Sequence, residues 1–297
     1  MVDGLAQLIP PEDLSVIVNT GDDFEHLGLY ISPDLDTICY TLAGMANSET
    51  GWGRQTETYN ALENIKILGG QSWFSLGDKD IATHIERTVR LKKGETLTQI
   101  TIDFCKAWGI KSRILPMSDD PIRTLVDTLE KGELPFQEYF VHLKCEPKVK
   151  GFRFGGIEKA RPAQGVIEAI TESDAVVICP SNPWVSIDPI LSLISLAFQL
   201  PENRLWARKV IAVTPIIGGK SVKGPAAKMF SELGIDPSPV AVALHYGNIL
   251  SGFVLDETDA IMASVVPVPS MITSTLMKTQ SDRKRLAQDV LHLIQSL

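Results

Sequence analysis

The sequence lacks the features that would place it in several large protein classes. Its four cysteines are widely separated and form no C-x-x-C pair, so neither a zinc site nor a disulfide framework is predicted. No apolar run approaches the roughly 18 residues of a membrane span. The richest stretch, residues 191–200, is short and interrupted by serine and glutamine. The formal net charge of -8 argues against a general nucleic-acid-binding surface.

The first residues have neither the basic region nor the apolar core of a signal peptide, so we expect a cytoplasmic location. The five histidines include no closely spaced pair that suggests a metal site. Hydrophobic residues make up 44% and charged residues 22% of the 297 positions, as in ordinary globular proteins. The length predicts one large domain, residues 1–297, which can contain an inserted subdomain.

Short, almost continuously apolar segments alternate with amphipathic ones, which predicts a Rossmann-like, doubly wound and mainly parallel α/β sheet. The predicted strands are residues 14–18, 112–116, 175–179 and 210–213. The predicted helices include residues 61–68, 81–91, 96–108, 162–171 and 281–296, and in the third of these Thr96 and Gln99 have the spacing of a capping box. A different pattern, with an aromatic run and a basic stretch, predicts an inserted smaller lobe at about 121–160.

Four acidic residues follow the first predicted strand: Asp22, Asp23, Asp34 and Asp36. Ligands bind outside the carboxyl ends of strands in open α/β sheets. Clustered carboxylates also repel one another unless a cation or a proton relieves them. Turn and helix-cap chemistry is the alternative interpretation for any one of these residues. Four acidic residues in one place favour a ligand-binding site.

Two later loops offer groups for a phosphorylated ligand. Residues 214–225 contain Gly218, Gly219 and Lys220, whose backbone and charge can approach phosphate oxygens. The order of a P-loop is absent, and a plain strand–helix connection is the alternative. In the Pro-Ser-Asn-Pro loop at 180–183, Ser181 and Asn182 can hydrogen-bond a base, a ribose or a phosphate.

The segment Leu-Gly-Asp-Lys-Asp at 76–80 has two interpretations. It is either a substrate clamp, with Lys79 donating and Asp78 accepting, or a solvated helix start with an aspartate cap. His84, on the helix that follows, is more typical of a structural histidine than of a catalyst. Trp52 lies between Gly51 and Gly53, where an indole could stack on a flat heterocycle.

Six motifs in one order carry a resemblance to a known family. They are Asn-Thr-Gly-Asp-Asp at 19–23, Pro-Asp-Leu-Asp-Thr at 33–37, Leu-Gly-Asp-Lys-Asp with Ala-Thr-His at 76–84, Met-Ser-Asp-Asp at 117–120, Pro-Ser-Asn-Pro at 180–183 and Thr-Pro-Ile-Ile-Gly-Gly at 214–219. The chain resembles the 2-phospho-L-lactate transferase family of deazaflavin coenzyme biosynthesis over essentially its whole length. The resemblance implies a Rossmann-like homodimer. It also implies transfer of a phospholactyl or phosphoenolpyruvyl group from a guanylyl-activated donor to the ribityl hydroxyl of the precursor Fo, with magnesium, releasing GMP.

Within that resemblance, we expect Asp36 to accept the proton of the ribityl hydroxyl. Asp36, Asp78 and Lys79 are the expected Fo contacts. Hard cations favour carboxylate oxygens, so the expected magnesium ligands come from the remaining acids, Asp22, Asp23 and Asp34. The expected nucleotide contacts are Ser181, Asn182, Gly218, Gly219 and Lys220.

The sequence departs from the family at two places. The clamp usually reads Leu-Gly-Asp-Arg-Asp, and Lys79 keeps the charge without the planar fork of arginine. Family members also open with a strand and a Gly-rich loop ahead of the segment that matches residues 2–5. The strands that would neighbour this opening strand in the sheet are therefore expected to have unpaired edges. The alternative function is a non-catalytic nucleotide-sugar-binding regulator with a similar core, which would bind a uridine-diphospho-sugar without turnover.

Overall fold

The computed structural model describes residues 1–47, 50–198 and 208–297. Its strands are β1 Ser15–Val18, β2 Phe24–His26, β3 Leu29–Ile31, β4 Arg113–Pro116, β5 Arg123–Thr128, β6 Gly132–Pro135, β7 Val149–Gly155, β8 Ala175–Ile178, β9 Lys209–Val213, β10 Ile216–Ile217, β11 Lys220–Ser221, β12 Gly252–Asp256 and β13 Ser270–Thr273. Its α-helices are α1 Val2–Ala6, α2 Pro33–Leu42, α3 Asn60–Ile67, α4 Asp78–Lys92, α5 Leu97–Ala107, α6 Val166–Thr171, α7 Asp188–Phe198, α8 Ala226–Glu232, α9 Pro239–Tyr246 and α10 Gln280–Ser296.

Two parallel sheets form the centre of the molecule. β1 pairs with β4, and the second sheet has the order β13-β12-β9-β8. Along the first sheet the chain moves outward from β1, and along the second it moves outward from β8. The strand order therefore reverses between β1 and β8, which is the topological switch point of a doubly wound fold. The predicted α/β class is confirmed.

β1 and β8 face each other across an open slot. The slot has a volume of about 970 Å³ and is lined by all residues of both strands. In the described part of the chain each of the two strands pairs along one edge only. The unpaired edges expected from the family comparison are therefore present. Asn19, Asp34 and Ser181 lie at the carboxyl end of the slot.

Apolar side chains hold helices on both faces. α1, α2 and α5 pack on the first sheet through residues such as Leu5, Leu35 and Ile114, and α10 packs on β9 and β12. The two terminal helices also pack on each other, because Gly4 lies so close to the Arg283 carbonyl that a side chain at position 4 would overlap it. The two central strands β9 and β12 have almost no exposed side chain, as expected for parallel strands covered on both faces.

The region predicted as an inserted lobe contains a three-stranded antiparallel sheet of order β6-β5-β7. It packs on the second sheet through Val126, Phe136 and Tyr139, which share a core with Trp184 and Phe253. None of the helices in the described residues is long and apolar enough to cross a membrane.

Some local predictions were wrong. The helix predicted at 162–171 begins at Val166, because Pro162 forms a bridge with Ser118 and Gly165 has a left-handed backbone with φ +89°. The capping box of α5 is half formed: Thr96 accepts from the Gln99 N–H, but the Gln99 amide donates to Asp103 instead of returning to the cap. The hairpin β2–β3 between the acidic motifs was not predicted.

Candidate functional site

Asn19, directly after β1, joins three elements at the carboxyl end of the slot. Its Nδ2 donates to Asp34 Oδ2 at 3.1 Å and to the Val185 carbonyl at 3.2 Å. Its Oδ1 accepts the Gly21 N–H at 2.8 Å. The start of α2 and the turn after β8 are thereby fixed against the acidic loop. Gly21 is required here, since a Cβ at this position would lie 2.6 Å from Thr124 Oγ1.

Asp22 and Asp34 form an interacting pair of carboxyl groups. Asp22 is 6% exposed, and its Oδ1 has no hydrogen-bond partner. Burial, followed by the Asp34 carboxylate, raises the pKa of Asp22 well above its ordinary value. Burial also raises the pKa of Asp34, although the hydrogen bond from Asn19 opposes the shift. A shared cation would remove both the repulsion and the desolvation cost.

Asp23 lies in the same loop but is bound to other groups. Ser32 Oγ and Tyr30 Oη donate to its Oδ2 at 2.7 and 3.0 Å. Burial raises its pKa to about 7, against the opposing effect of the Ser32 hydrogen bond and nearby arginines. Its side chain therefore ties the acidic loop to the residues that lead into α2.

In the described part of the chain, no three His, Cys, Asp or Glu side chains are arranged as a metal-binding group. The paired carboxylates and the orphaned Asp22 Oδ1 nevertheless fit a hard divalent cation that keeps several of its waters. Asp22 and Asp34 would hold the cation, and Asp23 would support the loop.

Asp36 belongs to a buried cluster between α2 and α4. The Arg87 guanidinium binds both oxygens of its carboxylate, one through a contact of 3.1 Å from Nη1 to Oδ2. Arg87 Nη1 also lies 3.2 Å from His84 Nδ1, and Tyr40 Oη donates to Asp80 at 2.6 Å. His84 is 1% exposed, in keeping with a structural histidine. Arg87 was not predicted, because nothing in its sequence surroundings links it to a residue 51 positions earlier.

Lys79 and Asp78 contact the segment that precedes α3. Lys79 Nζ donates to the Thr56 carbonyl and to Thr56 Oγ1, both at 2.7 Å. Asp78 accepts from Thr58 Oγ1 at 2.6 Å and from the Ala61 N–H at 2.9 Å. The Thr58 hydrogen bond is the largest cause that lowers the pKa of Asp78 to about 2. Both predicted Fo contacts therefore hold a neighbouring loop in this structure.

The residues predicted for the nucleotide follow β8 and β9, two strands of the second sheet. Asn182 caps the turn after β8, where its Oδ1 accepts the Trp184 N–H at 3.1 Å. Gly218 and Gly219 both have positive φ and form the two-residue turn of the hairpin β10–β11, a conformation that favours glycine. The Gly218 N–H donates to Asp259. Ser181 borders the slot, and Lys220 is exposed on β11.

Comparison with known proteins identifies the family of the chain. The family model described as 2-phospho-L-lactate transferase CofD matches residues 1–295. A phosphoenolpyruvate transferase of Streptomyces griseus is 42% identical over 262 residues, covering 86% of this chain and 81% of the relative. A 2-phospho-L-lactate transferase of Methanocaldococcus jannaschii is 37% identical over 301 residues, covering 100% of this chain and 95% of the relative.

A crystal structure of a UPF0052-family protein from Bacillus halodurans has the same fold. It superposes with a TM-score of 0.60 and 11% identity, covering 98% of this chain and 94% of that one. At that identity the likeness concerns the fold alone. The family match and the relatives show more: the chain belongs to the 2-phospho-L-lactate transferase CofD family of enzymes.

Proposed function

We propose that the chain transfers a phospholactyl or phosphoenolpyruvyl group from a guanylyl-activated donor to the ribityl hydroxyl of Fo, releasing GMP. The observation that best supports this is the Asp22–Asp34 carboxyl pair at the switch point. Asp34 of this pair and Asp36, which forms an ion pair with Arg87, both belong to the first turn of α2. A carboxyl pair that can bind a cation and a further carboxylate fixed on the same helix support transfer to a hydroxyl.

In the proposed reaction, the hydroxyl oxygen attacks the phosphorus of the transferred group as the bond from phosphorus to the GMP oxygen breaks. Asp36 receives the hydroxyl proton. An ionised carboxylate offers about four lone-pair sites, and Arg87 uses two of them. The remaining sites can accept from the hydroxyl, while Arg87 fixes the direction in which they point.

Magnesium, when bound, would neutralise the diphosphate and stabilise the departing GMP. The residues proposed to hold it are Asp22 and Asp34. Asn19 orients Asp34 through the 3.1 Å hydrogen bond, and Asp23 fixes the loop through Ser32 and Tyr30. The protein's own contribution is therefore a rigid pair of carboxylates.

On the donor side, we propose that Ser181, Asn182, Gly218, Gly219 and Lys220 surround the guanylyl group. Ser181 borders the same cavity as Asp34, which supports a phosphate between the two loops. Asn182 already caps its own turn, so its contribution is to shape the loop as well as to offer its amide. A homodimer also remains a prediction from the family.

The test is a reaction with Fo, magnesium and each guanylyl donor in turn, followed by product mass and GMP release. We expect one donor to give the product and Asp34→Asn to abolish it. The choice of donor separates phospholactyl from phosphoenolpyruvyl transfer. Absence of product with both donors, together with binding of a uridine-diphospho-sugar, would replace this proposal with the regulator.

A further inference from the structure

Trp52 is exposed in a manner that core packing does not explain. The indole is 49% exposed, and among the described residues no aromatic ring or cation packs on it. Gly51 and Gly53 on either side have φ of +73° and +69°. These left-handed positions turn the chain sharply at the tryptophan and favour glycine.

The loop that carries Trp52 meets the donor-side loop. Gly51 lies so close to Lys223 Nζ that a side chain at position 51 would overlap the ammonium group. Lys223 belongs to the segment that follows β11 and the Gly218–Gly219 turn. Trp52 therefore lies where the segment that follows α2 approaches the segment that follows β11.

The start of α4 fixes the other end of this loop. Lys79 Nζ has three acceptors there, the carbonyls of Gln55 and Thr56 and the Thr56 hydroxyl. Thr56 has a positive φ of 52°, a conformation that needs such support in a β-branched residue. Gly77 allows the loop to pack closely on the start of α4, because any side chain at position 77 would overlap Glu57.

The same turn of α4 reaches the Asp36 cluster on its other side. Asp80 accepts from Tyr40 Oη and lies 3.7 Å from His84 Nε2, and His84 contacts Arg87. Residues 79–87 of α4 thus contact both the loop that carries Trp52 and Asp36, the proposed acceptor of the hydroxyl proton.

We propose that Trp52 is a stacking site for the flat ring system of the acceptor, and that Lys79 is a positioning residue that holds the Trp52 loop in place. This inference rests on the proposed function, since it names how that site selects its acceptor. An indole face binds a flat heterocycle through stacking and apolar contact. The Lys79 ammonium group, with all three of its donors used by residues 55 and 56, acts on the acceptor through the loop.

Four variants test the inference: Trp52→Leu, Trp52→Phe, Lys79→Met and Lys79→Arg. Titration with Fo in the absence of donor gives the Kd for Fo without turnover. A loss of Fo binding is therefore distinguishable from a loss of the transfer reaction. Amide hydrogen exchange of residues 50–61 reports how firmly the loop is held. Leu68→Ala is the matched control, because Leu68 is 85% exposed at the end of α3.

We expect Trp52→Leu to weaken Fo binding about tenfold with exchange at 55–61 unchanged, and Trp52→Phe to retain most of the affinity. Lys79→Met should weaken Fo binding and speed exchange at 55–61 about tenfold, and Lys79→Arg should restore both. Wild-type Fo affinity in Trp52→Leu would overturn the stacking site. Weaker Fo binding in Lys79→Met with unchanged exchange would overturn the positioning role and assign Lys79 a direct contact.

Discussion

Asp22, in the loop after β1, and Asp256, the last residue of β12, are both 6% exposed and have opposite surroundings. Asp22 Oδ1 has no partner, and its pKa is raised by burial and Asp34. Asp256 accepts hydrogen bonds from the backbone and hydroxyl groups of Thr258 and Thr275. Burial would raise the pKa of Asp256, but these hydrogen bonds outweigh it and lower the pKa.

The contrast extends to the two halves of the molecule. In the described chain, every buried polar side-chain atom without a hydrogen-bond partner belongs to residues 20–124. Native structures leave few such atoms, and strained or unpaired groups concentrate at functional sites. Among the described residues, unpaired buried side-chain atoms are therefore confined to the first half, which contains the acidic loop, whereas the buried polar side chains of the second half all have hydrogen-bond partners.

Removing the charge of Asp36 should produce the largest effect. Asp36→Asn leaves Arg87, which is 3% exposed, without its counter-charge, and breaking a buried pair costs about 3–5 kcal/mol. We expect loss of transfer together with a lower free energy of unfolding, measured by urea denaturation. Glu133→Gln breaks an exposed pair with Arg153 and should leave the midpoint unchanged. Equal stability of the two variants would contradict the buried ion pair.

Stability should fall as pH rises, through Asp23. Its folded pKa of about 7 lies above the ordinary value of 3.8, so the folded state binds more protons between these values. The stabilisation is complete below about pH 4 and is lost as pH rises towards 7, by on the order of 4 kcal/mol. Denaturation at pH 5 and pH 8 should show a smaller pH effect in Asp23→Asn than in the wild type. The same pH effect in both proteins would rule out Asp23 as the source.

Asp22→Asn should stabilise the protein while removing its response to magnesium. The neutral amide removes a buried negative charge that lies beside Asp34. Single stabilising substitutions commonly raise the free energy of unfolding by about 0.5–2 kcal/mol. Thermal unfolding with and without magnesium measures both effects. Asp256→Asn is the matched control in the satisfied half, where the change should destabilise. Stabilisation of both variants would remove the contrast between the two halves.

The smallest expected effect concerns the backbone beside the slot. Amides of β1 and β8 that face the slot have no strand partner, whereas β9 is paired on both edges. We expect exchange about tenfold faster for the slot-facing amides, measured by hydrogen exchange resolved to single residues. Uniform protection across β1 and β9 would show that the slot does not loosen the sheet.

The sequence predicted the parts of the fold that depend on local pattern. The apolar runs located β1, β4, β8 and β9 to within one residue, and Thr96 was correctly chosen as the cap of α5. The hairpin β2–β3 was missed because β2 carries no apolar run, both strands are only three residues long, and the turn between them lacks an Asn-Gly or Asp-Gly pair. Short strands owe their pairing to surrounding structure.

The position of the candidate site in the fold was more predictable than the contacts of its residues. Parallel strands bring their following loops to one edge, so Asp22, Asp34 and Ser181 could be expected there. The partner of Asp36 could not, since Arg87 meets it only through the packing of α4 on α2 and β3. Nor could the sequence show that the Lys79 ammonium group donates hydrogen bonds to three oxygens of residues 55 and 56.

The packing of α1 against α10 sets an order of events during synthesis on the ribosome. Asp3 pairs with Arg283 at 3.1 Å, so α1 gains this partner only after α10 has been made. At roughly 5–20 residues per second, the intervening chain takes roughly 14–56 s to emerge. Throughout that interval the apolar side of α1 is without its final neighbour. The packing around α1 is therefore completed only after α10 has been made and has folded against it.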